Sequence, residues 1–99
     1  MKNSACYPLF FSTLSNNLRM DIVSSLADSP KSVSRLCREI NVEQSKISHA
    51  LKILRTCNVV GFTRKGKEKI YKLNNDVVKI LNLINEYERK NCKKCGRLK

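Results

Sequence analysis

Two short helical patterns with almost nothing between them constrain this chain more than any other feature. Val33, Leu36, Cys37 and Ile40 recur at three- and four-residue steps behind Ser32, a residue type that caps helix starts. Ile47, Ala50, Leu51 and Leu54 then share one stripe at about 100° per residue. Only Asn41-Val42-Glu43 separates the two sets. Asn41 tolerates the left-handed backbone that follows many helix ends. Val42 and Ile47 have the spacing of a hydrophobic staple, and Glu43, a weak cap, sets its charge at the positive end of the helix dipole. A joint this short forces the second helix across the first, which makes a helix-turn-helix. The second helix, at about residues 44–57, turns Ser45, Ser48, His49, Lys52 and Arg55 to the side opposite its apolar stripe.

The period changes next. Residues Val59 to Arg64 and Glu68 to Leu73 are rich in β-formers and flank Lys65-Gly66-Lys67, so a hairpin with a basic tip is expected over 59–73. A hairpin directly after a helix-turn-helix is a wing. Upstream, residues 7–14 suit one or two helical turns. Ser15-Asn16-Asn17 can start a helix carrying Leu18, Met20, Ile22, Val23 and Leu26 to about Asp28, where Ser29-Pro30-Lys31 ends it. Downstream, Asn74-Asn75-Asp76 can cap a last helix whose stripe is Val77, Leu81, Ile84 and Tyr87, with Val78 and Ile80 beside it. Ninety-nine residues supply one core. The expected fold is mainly α with a small β-hairpin wing, in the order α-α-α-α-β-β-α. It forms a single domain over residues 1–90, followed by a basic tail at 91–99.

The charge is unevenly placed. Of the net +12, residues 44–73 hold eight Lys or Arg against one Glu, and residues 89–99 hold six with no acid. Residues 1–43 are nearly neutral, with five basic and four acidic side chains, and residues 74–88 are net −2. Excess charge confined to the second helix of the pair, the wing and the tail is the footprint of a polyanion reader, with double-stranded DNA as the partner. The helix then enters the major groove with Gln44, Ser45, Ser48, His49 and Lys52 near base edges or flanking phosphates. Lys46 and Arg55 clamp phosphates, and Arg64, Lys65 and Lys67 on the wing contact phosphate or minor groove.

Residues Leu14-Ser15-Asn16-Asn17-Leu18-Arg19-Met20-Asp21-Ile22-Val23 resemble the LSDPTRLRIL segment of ArsR/SmtB regulators. The stretch from Val42 to Arg55 resembles the recognition helix of that family, and Val59-Val60 sits where its wing strand begins. The resemblance covers about residues 8–88. It implies a transcriptional regulator, typically a repressor, acting as a homodimer built from the first and last helices and binding a two-fold operator. Independently, Leu9, Phe10, Val77, Leu81, Ile84 and Tyr87 are more apolar surface than one small core easily buries, which also points to dimerisation. The chain departs from the family's Cys-Val-Cys-Asp metal signature: the two cysteines fall on Ser32 and Ser34, with Cys37 the one thiol nearby. The arsenic-type site is therefore not expected. The last helix lacks the Asp/His pairs of zinc-sensing relatives, since His49 is the chain's one histidine.

The tail carries Cys92-Lys93-Lys94-Cys95-Gly96. The C-x-x-C spacing lets two thiolates reach one zinc or other soft metal, but a structural zinc needs four ligands, so a second tail, Cys6 or Cys57 has to complete the set. A redox pair activated by the flanking lysines and a basic tail with incidental thiols are the alternatives. Five cysteines at irregular spacing do not form a disulfide framework. No apolar run approaches the roughly 18 residues that span a bilayer, and no signal-peptide core precedes the domain, so a cytoplasmic chain with reduced thiols and no membrane partner is expected. No P-loop or nucleophile–base pair is present, so an enzyme is not expected. The competing functions are a non-specific architectural DNA-binding protein and a protein-interaction module, the latter disfavoured by the basic helix face.

Overall fold

The structure, a computed structural model, describes residues 6–91. In chain order it contains α1 (Cys6–Leu14), α2 (Asn17–Asp28), β1 (Lys31–Ser32), α3 (Val33–Ile40), α4 (Gln44–Thr56), β2 (Val60–Lys65), β3 (Glu68–Leu73) and α5 (Asn75–Asn91). The helices start where short polar side chains can accept the unpaired first-turn N–H groups. Asn16 accepts from the Arg19 amide at 3.0 Å and Ser32 from the Arg35 amide at 3.2 Å. Asn74 Oδ1 accepts from the Asp76 amide at 2.9 Å. Caps of this kind contribute about 1 kcal/mol each. Glu43 makes no such bond to its helix. Instead it accepts the Ser45 hydroxyl at 3.2 Å, and the start of α4 is fixed by half-buried Val42 and fully buried Ile47.

The core gathers one face of each element: Ile22, Val23 and Leu26 from α2, Leu36 from α3, and Ile47, Leu51 and Leu54 from α4. The sheet adds Val60, Tyr71 and Leu73, and α5 adds Val77. Asn41 takes the left-handed backbone at φ 62°, and its amide donates to the Cys37 carbonyl at 2.8 Å. That single residue turns the chain from α3 into α4, as the sequence predicts.

Two features differ from expectation. The sheet has three strands in the order β1-β3-β2, all antiparallel, because Lys31 and Ser32 pair with Tyr71 and Ile70 along the open edge of β3. The element order therefore gains a strand between the second and third helices. The hairpin turn is also tighter: Lys65 pairs with Glu68 inside the ladder, leaving Gly66-Lys67 as a two-residue turn. Gly66, at φ +64°, supplies the positive angle that the first position of a type II′ turn requires.

A buried lysine locks these parts together. Lys31 is only 5% exposed, and its ammonium donates to Ser25 Oγ at 2.8 Å and to Glu39 Oε1 at 2.6 Å. Ser25 also donates to Glu39 Oε1, and Arg35 Nε donates to Glu39 Oε2 at 2.9 Å. The network joins α2, β1 and α3. Lys31, Ser25 and Arg35 together hold the Glu39 carboxyl down at about 2, far below its ordinary value.

The apolar stripe of α5 divides in two. Val77 is 4% exposed and belongs to the core of the protomer rather than to an outward face. Leu81 and, on α1, Phe10 pack half-buried against that core. Ile80, Leu83, Ile84 and Tyr87 of α5 remain exposed, together with Leu9 and Phe11 of α1. No helix among the described residues is long and apolar enough to cross a membrane.

Candidate nucleic-acid interface

Burying Ile47, Ala50, Leu51 and Leu54 fixes the rotation of α4, so its polar residues must face outward. They separate into two rows. Gln44, Ser48, Lys52 and Arg55 line a cleft of about 510 Å³ between α4, the start of α3 and the wing. Ser32 and Ser34 form its near wall, and Lys67, Glu68, Lys69 and Tyr71 its far wall. Ser45, Lys46 and His49 line a separate groove of about 300 Å³, whose other wall is Asn16, Leu18 and Arg19 at the start of α2.

The wing is aimed by its pleat. Val60, Phe62 and Arg64 pair with Leu73, Tyr71 and Lys69, and these share the face that packs toward α4. Arg55 lies over the Phe62 ring at 4.5 Å from its centroid, and Lys69 approaches the same ring at 4.8 Å. Each cation–π contact contributes about 0.5–1 kcal/mol at an exposed site and keeps a flexible cation in place. Phe62 itself packs against Tyr71 at 5.3 Å. One aromatic ring thus holds a helix cation and a hairpin cation at the same cleft.

Gln44, Ser48, Lys52, Arg55 and Lys67, expected at the DNA surface, line the wing cleft. Ser45, Lys46 and His49 line the second groove, and Arg64 and Lys65 are exposed on the hairpin, on opposite faces of the ladder. Sequence reasoning missed Lys69, whose alternation with Tyr71 puts it on the inward face, and Arg19. Among the described residues no group of three or more His, Cys, Asp or Glu gathers into a metal site. Cys37 and Cys57 are half-buried free thiols, and Thr13 Oγ1 lies 3.2 Å from Cys57 Sγ. Cys92 and Cys95 lie outside the described residues, as does the tail that carries them.

A helix-turn-helix whose second helix is polar outward, followed by a basic hairpin tied to a third strand, defines a winged helix-turn-helix domain. Comparison with known proteins finds similar regulators. Residues 16–61 match the arsR family of bacterial regulatory proteins. The chain is 35% identical over 77 residues to a transcriptional repressor SmtB homolog of Synechocystis, covering 78% of this chain and 57% of that one. It is 36% identical over 55 residues to the transcriptional regulator NmtR of Mycobacterium tuberculosis, covering 56% of this chain and 46% of that one. The chain thus spans about half the length of the curated relatives it matches. Among solved structures, the homodimeric winged helix-turn-helix DNA-binding domain of Mb0332 from Mycobacterium bovis superposes with a TM-score of 0.82 at 19% identity, covering 90% of this chain and 83% of that one. The fold is that of a winged helix-turn-helix domain, and residues 16–61 are similar to the arsR family.

Proposed function

We propose that this chain is a sequence-specific DNA-binding transcriptional regulator, a repressor, that acts as a homodimer. The observation that carries the reading is the cleft between α4 and the wing, where Lys52, Arg55, Lys67 and Lys69 face a single Glu68. A major groove about 12 Å wide admits a helix of about 10–12 Å diameter. With α4 in that groove, Gln44 and Ser48 reach base edges and the flanking cations reach phosphates. Gln suits adenine through a bidentate pair, and Lys52 suits guanine acceptors. The repressor function of the SmtB homolog supports the sign of regulation.

The exposed stripe Ile80, Leu83, Ile84 and Tyr87 of α5 supports the dimer, as do exposed Leu9 and Phe11 of α1. A two-fold protein reads a two-fold site, with half-sites one helical turn apart or a multiple of it. This role places the chain in the cytoplasm with the DNA. Cys92 and Cys95 carry the reading of a two-thiolate site for zinc or another soft metal, supported by their spacing alone. Selection of bound duplexes from a randomised pool tests the main reading. A motif with dyad symmetry is expected, and a pool that stays random after repeated rounds would refute it.

A further inference from the structure

The two rows of α4 do not serve the same strand. A helix lying in a major groove runs between two phosphate backbones, so each flank of the helix faces a different strand. One flank here is the wing cleft. The other is the groove formed by Arg19, Lys46 and His49, which has no Asp or Glu in its lining. Arg19 projects from α2, outside the helix-turn-helix pair, and it is held in place. Its Nε donates to the Thr13 carbonyl at 2.7 Å, which uses one of the five guanidinium donors and fixes the plane of the fork. Lys46 is exposed across the groove, and His49 offers a ring N–H in either tautomer.

We propose that Arg19, Lys46 and His49 form a second phosphate clamp, which grips the DNA strand across the major groove from the strand held by the wing. The inference rests on the DNA-binding reading and adds to it a residue from α2 and a strand assignment. A fixed guanidinium fork matches a phosphodiester through two parallel hydrogen bonds, and Lys46 adds a point charge at the same place. The clamp sets the register of α4 in the groove and carries no sequence preference of its own.

The test uses the full chain and a duplex chosen by selection, with affinity measured from 50 to 200 mM salt. Each variant is present in both protomers of the dimer, so Arg19→Gln and Lys46→Gln should each lower the slope of log K against log salt by about 1.8, the amount for two phosphates. The affinity gap to the parent then narrows by about twelvefold across that range. Base preference should not change, and Lys79→Gln on α5 should leave the slope as it is. Arg19→Lys keeps the charge and should keep the slope. Ethylation interference should place the affected phosphates on the strand opposite those lost with Lys67→Gln. If the Gln variants fold and keep the parental slope, or if Arg19→Lys loses it, the clamp is refuted. If Lys67→Gln alone lowers the slope, the DNA-binding reading stands without the clamp. A parent chain with no salt-dependent binding would refute both.

Discussion

Replacing Leu83 with Gln tests the dimer through a residue that does nothing for the protomer's own core. Leu83 is 66% exposed, at the centre of the stripe Ile80, Leu83, Ile84 and Tyr87. Full burial of a leucine side chain contributes about 1.5–3 kcal/mol, so covering the exposed two-thirds gives about 1–2 kcal/mol per protomer. A two-fold interface uses the same patch on both partners, and one substitution therefore counts twice. The expected loss is about 2–4 kcal/mol, which raises the dimer dissociation constant by about 30- to 1000-fold. Gln has nearly the helix propensity of Leu, so α5 should keep its helical signal. Sedimentation equilibrium over a concentration series reads the dissociation constant directly. Asn82→Ala, an exposed change on the polar side of α5, serves as the control and should leave it unchanged. A Leu83→Gln chain that is folded and associates within threefold of the parent would refute the assignment of this face.

Acid titration should report the Glu39 network. Its carboxyl is held at about 2 in the folded chain, below its unfolded value, so its stabilising contribution is present above about pH 4.5 and is lost as pH falls toward 2. The difference in urea midpoint between parent and Glu39→Gln should be constant near neutrality and shrink across that window; a difference independent of pH would contradict the network. Asn41, at φ 62°, should resist residues with an ordinary Cβ: Asn41→Ala should cost about 1 kcal/mol in denaturant unfolding, while Asn41→Gly should be nearly neutral. Equal losses for the two would argue against the left-handed joint. Lys31→Met keeps the buried volume but removes the ammonium shared by Ser25 and Glu39, so it should lower stability at neutral pH, and Lys31→Ala should lose about 2 kcal/mol more to an unfilled space. A Lys31→Met chain as stable as the parent would show that packing, and not the charge, holds β1 to α2 and α3.

What could be read from residues alone follows the physics of each signal. The caps at Asn16 and Ser32, the joint at Asn41 and the stripe of α4 depend on neighbours within about four positions, and the sequence displays them. β1 was not legible, because Lys31-Ser32 is too short for a period and its partners Tyr71 and Ile70 are far along the chain. Lys31 reads as a surface residue, since lysines are rarely buried unless paired, and its partner Glu39 lies eight positions away across a helix start. Val77 shares a stripe with Tyr87 on a helical wheel, yet only the start of α5, from Val77 to Leu81, reaches the buried core, so the two residues have opposite fates. Arg19 escaped notice because residues 1–43 are almost neutral as a block. A count by segment cannot show that one cation folds back beside Lys46.

The central claim, that α4 and the wing read a DNA sequence, is tested most directly by one ratio. Affinity for the selected duplex is compared with affinity for a scrambled duplex of equal length and composition at about 150 mM salt. A specific regulator should prefer the selected site by about a thousandfold or more. A ratio near one, with binding that is tight only at low salt, would make the basic surface a non-specific DNA clamp and contradict the account.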